Sequence, residues 1–503
     1  MRATRWDLIT AGVPSPAGRA AAAGLHDDEA TGAAFPTLAG GIVAVLLLLL
    51  PLVRMGMTLE IDFGEGWNAY VAEGVLHGEP VYRPFASLVP NNYPPLSFYA
   101  LAALHHLTGW ALLPLGRGVA LVSLLLVAVQ VGLAARLCGA ARQDAWLAGL
   151  LFVGLVAAGA ARYVAMNDPQ LLAHAIAAAA LLAYLRWPTR RVPATVPLMA
   201  ILVTAALFTK HNLVALPIAL TIAIALDAPE RLVPWCLTAG GLIAGAVAAL
   251  ERASGGLFVA SLLMGRRYGL DTLTGVAGIG LLTMAVPTIV TATGISRRSV
   301  DPRLRVVLVY FGVATATGIG FSGGSGADVN MFFDAFVAIA VACAVVLTRL
   351  RARPGAYLAA SLAVVAWLAL ALPIRLLTPA RYQQLLRREQ ATIEDVRYLR
   401  AHRGNAYCER MLLCYLAGKP LVLQPYFAPE LAAIGDVPEE IVRQPFDQRT
   451  FGIVQLDRPI LGPEAEIGGA PHARLPGGVL STIRRQYRLA RVSSNGAFYV
   501  PAS

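Results

Sequence analysis

Stretches such as Gly41 to Leu50 and Val119 to Ala134 are apolar almost all the way round, with neither a period-2 nor a period-3.6 polar face. A helix without a polar face must be buried on every side, and runs of this length and frequency are buried in lipid. Composition agrees: 57% of residues are hydrophobic and 14% charged, against about 25% charged in soluble domains. A soluble enzyme, a disordered chain and a collagen-like chain are excluded.

Roughly eleven apolar spans can be drawn, near 37–55, 117–138, 145–161, 168–186, 194–209, 211–226, 233–250, 272–294, 305–322, 330–348 and 356–374. The net charge of +11 comes from short clusters between spans rather than from one basic face, so it marks topology and not a nucleic-acid partner. One set of connections holds Arg2, Arg5 and Arg19, then Arg136 and Arg142, Arg186, Arg190 and Arg191, Arg231, Arg297 to Arg305, and Arg349, Arg351 and Arg353. The positive-inside rule makes that set cytoplasmic. Arg54, Arg83, Arg117, Arg162, Arg252, Arg266 and Arg267 stand as exceptions on the other face.

The chain then divides into a cytoplasmic segment over 1–36, a polytopic helical membrane domain over 37–375, and a small extracytoplasmic α/β domain over 376–503. A long loop at 56–116 needs structure of its own: a short interfacial helix over Trp67 to His77, and a second from Pro94-Pro95 to about His106. In the tail, Thr392 to His402 reads as a helix and Pro429 to Ile434 as a helical turn. Strands are expected at Pro420 to Leu423, Phe451 to Leu456, Arg488 to Val492 and Phe498 to Val500. Cys138, Cys236 and Cys343 read as packing residues, whereas Cys408 and Cys414 fall in the tail and can bridge if that segment is extracytoplasmic.

Acids are scarce in the membrane part, so their positions inform. Asp62-Phe63-Gly64-Glu65-Gly66 follows the first span, and either helical spacing or a glycine turn presents two carboxylates at the membrane surface. The plain alternative is a solvated loop with acids at a helix start. Asn167-Asp168-Pro169 ends another span on the same face, where Asp168 also suits an N-cap. Lys210-His211-Asn212 lies between apolar stretches, and the chain has only two lysines, Lys210 and Lys419. A cation there needs a carboxylate or a phosphate, or must snorkel. Asn330 and Asp334, four residues apart, share one helix face and line the same cavity or pair with another helix. Gly318 to Gly324 matches GxGxxG and GxSxG by letter but lacks the strand-turn-helix context both need.

Taken in order, Ile61-Asp62-Phe63-Gly64-Glu65-Gly66, Gly78-Glu79-Pro80-Val81-Tyr82, Asn91-Asn92-Tyr93-Pro94-Pro95-Leu96, Arg117, Asn167-Asp168-Pro169 and Phe208-Thr209-Lys210-His211-Asn212 resemble the GT-C membrane glycosyltransferases. Within that superfamily the chain looks most like the bacterial branch related to protein O-mannosyltransferases and the aminoarabinose transferase of lipid A. Cys408-Glu409, Cys414-Tyr415, Gly418-Lys419-Pro420, Phe446-Asp447 and Gly496 to Val500 resemble the periplasmic domain that many such proteins carry. The resemblance implies a bacterial inner-membrane enzyme with a polyprenyl-phosphate sugar donor and a cell-envelope acceptor reached from the periplasm. Asp62 matches the family's surface acid, although the acidic pair here is Asp62 and Glu65 rather than two adjacent acids. Either can serve as base.

The physics of such a transfer asks for the same residue types. A carboxylate takes the acceptor proton; Lys210, His211 or Arg117 offsets the charge of the leaving phosphate; Tyr93, Asn167, Asp168, Asn330 and Asp334 are candidate substrate contacts. Some GT-C enzymes use a divalent cation and others do not, and Asp62, Glu65 and Asp168 carry hard oxygen ligands. The rival reading is a transporter or flippase of lipid-linked or small polar solutes. That reading places ion-binding acids near the midplane of two repeated halves, whereas these acids sit at span ends and no repeat is visible.

Overall fold

A computed structural model describes residues 16–187, 189–295, 300–460 and 475–502, with side chains from Phe35 onward. Residues 1–15 of the N-terminal segment expected over 1–36 lie outside the described residues, as do Arg297 and Arg298, and its remainder is already helical.

The first long helix, α1 (Pro16–Met55), is followed by α2 (Gly64–Leu76), α3 (Leu96–Thr108), α4 (Leu112–Leu137), α5 (Arg142–Gly159), α6 (Gln170–Arg186), α7 (Thr195–Thr209) and α8 (Ala215–Asp227). Next come α9 (Leu232–Ala253), α10 (Phe258–Leu262), α11 (Leu270–Thr283), α12 (Ala285–Gly294), α13 (Pro302–Phe321), α14 (Phe333–Leu350), α15 (Pro354–Ala369) and the single turn α16 (Leu372–Arg375). Of the eleven expected spans, six are long and apolar enough to cross a membrane, and a seventh counts if α11 and α12, bent by 55°, form one span. The reason for the shortfall is local. α6, α7 and α8 have 17, 15 and 13 residues, whereas a 30 Å hydrocarbon layer asks for about 20. The polar stretches at 160–169 and 210–214 are wider than the breaks drawn at 162–167 and 210, and they take residues from the ends of the adjoining spans. α5 spends its first turn on Arg142, Gln143 and Asp144.

α14 is buried from Phe333 to Leu347 and forms the axis of the bundle. At one end, Arg351 pairs with the fully buried Asp144 at 2.8 Å, and Tyr357 Oη donates to the same carboxylate at 3.0 Å. The opposite end carries α2, α3 and the C-terminal domain. Gly318 to Phe321 close α13, and Ser322 Oγ donates to the Gly318 carbonyl at 2.7 Å. That geometry is a helix end, so the glycine motif is no nucleophile elbow.

The C-terminal part opens on α17 (Pro379–Ala401), longer than its sequence signal, and continues through β1 (Asn405–Cys408), α18 (Met411–Leu416), α19 (Phe427–Ile434), α20 (Glu439–Asp447), β2 (Phe451–Leu456), α21 (Gly477–Gln486), β3 (Tyr487–Ser493) and β4 (Gly496–Pro501). The sheet order is β1-β2-β4-β3, with β1 parallel to β2 and the rest antiparallel. Pro420 to Leu423 is a loop and not a strand. Pro420 opens it and Pro425 follows it, both without an N–H donor, and the chain leaves it through Gln424 N–H, bonded to the Leu88 carbonyl at 2.8 Å. β1, which the sequence reading missed, takes its place in the sheet.

Cys408 and Cys414 form a disulfide that fastens α18 to the end of β1. The other cysteines are free, Cys138 and Cys343 buried and Cys236 exposed. Replacing Cys408 and Cys414 by Ser is expected to cost about 2 kcal/mol, the chain-entropy value for so short a loop. An unchanged denaturant midpoint of the C-terminal domain would refute this.

Candidate active site

The connection from α1 to α2 is held by one arginine. Arg117, in the second turn of α4, is 1% exposed and forms a bidentate pair with the fully buried Glu65, 2.7 Å at each contact. Its remaining donors go to the carbonyls of Met55 (3.1 Å), Met57 and Leu59 (2.8 Å). Five guanidinium N–H groups thus have five protein acceptors, and none is left for a phosphate. Glu65 is equally committed, accepting also from Ile61 N (2.8 Å) and Asn167 N (3.1 Å). The sequence placed Glu65 among catalytic residues and Arg117 among donor contacts; their full burial and mutual pairing make them the brace beneath the site. Asn167 belongs to that brace. Its carbonyl accepts from Asn68 Nδ2 at 2.7 Å, and a Cβ on Gly116 would meet its Oδ1 at 1.9 Å, so α4 approaches this turn only as glycine.

Asp62 lies outside the brace. One carboxylate oxygen caps Gly64 N at 3.4 Å, and the other meets Arg162 Nη1 at 2.8 Å. Arg162 also reaches Asp328 at 2.9 Å, so a half-exposed guanidinium joins two carboxylates from separate connections. Burial alone would lower the Arg162 pKa, but Asp328 and Asp62 outweigh it and raise it. Burial lifts the Asp328 carboxyl above its ordinary value, an effect Arg162 partly offsets.

Lys210 stands at the break between α7 and α8, 5% exposed. Its ammonium is 3.3 Å from Asp168 and 3.7 Å from the centre of the Tyr93 ring. The Tyr93 backbone N–H donates to Asn91 Oδ1 at 3.0 Å, the turn that presents the ring. Asp168 accepts from Gln170 N at 2.8 Å just ahead of α6, whose N-cap is Pro169 and not Asp168 as the sequence suggested, and it also neutralises the lysine. His211 is half-buried beside Lys210, and among the described residues its Nδ1 has no hydrogen-bond partner.

Tyr163 connects the two clusters. Burial, then the charges of Asp168 and Asp328, the Tyr93 phenol and the Asp62 charge hold its hydroxyl well above its ordinary pKa, which places it within electrostatic reach of both carboxylate pairs. The C-terminal domain supplies the roof: Tyr426 stacks on Phe63 at 5.3 Å, Phe427 meets Trp67 edge-on at 6.2 Å, and Glu430 pairs with Arg267 at 2.8 Å. Arg266 lies over the Phe427 ring.

Asn330 and Asp334 join α6 instead. Asn330 Nδ2 donates to Gln170 Oε1 at 2.9 Å; Asp334 accepts from Tyr310 Oη and lies 3.5 Å from His174 Nε2. They pair with other helices. Sequence reasoning missed Arg162 as the partner of Asp62, together with Asp328, His174 and Tyr310. Arg162 was nonetheless visible as an arginine on the arginine-poor face. Among the described residues no three His, Cys, Asp or Glu side chains gather into a metal-holding group. Asp62, Glu65 and Asp168 each face their own cation, so the residues present do not fit a resident divalent ion.

No protein-family profile matches the chain, and no curated protein does. Solved structures do. ArnT from Cupriavidus metallidurans in its apo state superposes with a TM-score of 0.59 at 11% identity, covering 90% of this chain and 97% of that one. ArnT bound to undecaprenyl phosphate gives 0.54 at 12% identity over 91% and 98%. The archaeal oligosaccharyltransferase AglB from Archaeoglobus fulgidus, in complex with an inhibitory peptide and a dolichol-phosphate, gives 0.52 at 13% identity over 93% and 74%. Over nine-tenths of its length the chain is thus arranged as in these structures, and it has a GT-C-like fold.

Proposed function

We propose that the chain transfers a sugar from a polyprenyl-phosphate donor to a hydroxyl acceptor of the cell envelope, on the outer face of a bacterial plasma membrane. The observation that carries this reading is the pair of clusters on either side of Arg162-Tyr163: a part-exposed carboxylate, Asp62, and a buried ammonium, Lys210. The acceptor oxygen attacks the anomeric carbon while Asp62 takes its proton. The bond from that carbon to the phosphate oxygen breaks, and the electron pair leaves with the polyprenyl phosphate. Lys210 stands where that developing charge is offset in a water-poor setting. Arg162 holds the Asp62 carboxylate in place. The likeness to ArnT and AglB supports a lipid-borne donor, since those structures hold undecaprenyl phosphate and a dolichol-phosphate.

The test is release of free polyprenyl phosphate by the protein in nanodiscs, supplied with a panel of polyprenyl-phosphate sugars and envelope extract. Release from one donor supports the reading; none from any donor, with solute uptake in vesicles, replaces it by the transporter.

Lys210→Met alone leaves Asp168 uncompensated, so the informative variant is Lys210→Met with Asp168→Asn, which preserves charge balance. It is expected to fold and to bind undecaprenyl phosphate at least about tenfold more weakly, the loss of one charge-assisted contact. Affinity equal to wild type would make Lys210 a purely structural cation.

A further inference from the structure

Beyond Asp62, the outer face of α2 and the C-terminal domain enclose a cleft of about 540 Å³. Trp67, Tyr70, Val71 and Gly74 line it from one side of α2, the i, i+3, i+4, i+7 spacing of a single helix face. From the other side come Tyr415 on α18 and the turn Gly418 to Leu421. A second concavity of about 470 Å³ continues past Glu73, His77 and Tyr415 toward His105 and His106. Neither is part of the carboxylate and lysine clusters.

We propose that this cleft binds an uncharged saccharide chain, extending the acceptor end of the proposed active site; the inference rests on that reading for its role but not for its ligand. The chemistry of the walls selects the ligand. Tyr70 and Tyr415 meet edge to face at 5.1 Å and are half-buried, offering rigid rings to the C–H faces of a sugar. Tyr70 Oη is committed to the Lys419 carbonyl at 2.7 Å, which fixes its ring. Glu73 and Glu79 bring carboxylate acceptors for hydroxyl groups. Trp67 is 3% exposed, its ring forms part of the cleft wall, and among the described residues its Nε1–H has no hydrogen-bond partner.

The cations do not favour an anion. Lys419 Nζ turns away to the carbonyls of His402 and Gly404, and Arg83 is held by Glu79 at 2.6 Å. Length follows from helix geometry. Glu73 is nine residues beyond Gly64, where α2 begins, roughly 14 Å along the helix axis at 1.5 Å per residue. A ligand that fills the cleft as far as Glu73 and also reaches Asp62 is therefore a chain of several sugars and not a monosaccharide. The approach of the two walls is fixed, because a Cβ on Gly66 would lie 2.4 Å from Leu412 N.

The full-length protein in nanodiscs is titrated, without donor, against ladders of malto-, manno-, arabino- and chito-oligosaccharides from monomer to hexamer, read by calorimetry and tryptophan fluorescence. One series is expected to bind with affinity that rises with length. Tyr415→Ala and, should that variant fail to fold, Glu73→Gln should weaken it about tenfold, a typical loss for one good contact. Absence of binding in all four ladders overturns the proposal, as does binding independent of length or unaffected at Tyr415 and Glu73. Length-dependent binding without polyprenyl phosphate release would retire the transfer reading and keep the cleft; release without binding would do the reverse.

Discussion

Arg117→Met is expected to lower stability by about 3–5 kcal/mol, the cost of stranding one partner of a buried ion pair, and to be seen as early loss of the monodisperse peak when solubilised protein is heated. Three terms add. Glu65, with no exposed surface, keeps its charge without its counter-ion. The carbonyls of Met55, Met57 and Leu59 lose their donors. The end of α1 and the start of α2 are then no longer fixed to α4. Glu65→Gln should cost less, because Arg117 keeps its three backbone carbonyls, although the single amide oxygen can accept from only one of Ile61 N and Asn167 N, which bond different carboxylate oxygens. A double replacement by apolar residues should not restore wild-type stability, since the three carbonyls stay unpaired. An Arg117→Met protein that melts like wild type but loses undecaprenyl-phosphate affinity would return Arg117 to the role of a phosphate ligand.

Sequence made the site's address legible more than its wiring. The placement of Asp62, Asp168 and Lys210 between apolar runs is readable because a bilayer leaves few places for charge. The partner of each is not, because pairing is a property of helix packing. Glu65 and Arg117 are 52 residues apart, and nothing in spacing distinguishes a carboxylate that closes on a neighbouring helix from one that faces solvent. The span count failed for a related reason. Hydropathy averages over a window, so the breaks drawn at 162–167 and at 210 come out narrower than the turns at Arg162 to Pro169 and Lys210 to Val214, which carry the candidate site, and the helices beside them come out too long. In the tail, alternating residues located β2, β3 and β4. The four residues of β1 were missed because Tyr407 and Cys408 carry no turn signal ahead of the disulfide loop.

Asp62→Asn is expected to reduce the rate of polyprenyl phosphate release by about 10² to 10⁴, the range that a positioned general base contributes, with no change in thermal midpoint and little in donor affinity. Stability is spared because the amide oxygen of the replacement side chain can still accept from Gly64 N, and the lost pair with Arg162 is half-exposed and therefore weak. Arg162 provides the control that separates base from surface charge. Arg162→Gln keeps the Asp62 carboxylate but removes the cation that tethers it and links it to Asp328. It should lower the rate by less than Asp62→Asn, because the base remains and only its orientation is lost. If Asp62→Asn turns over like wild type while Arg162→Gln does not, the guanidinium is the functional group and Asp62 merely holds it, with Asp328 on its other side. The acceptor proton would then have to leave by another route.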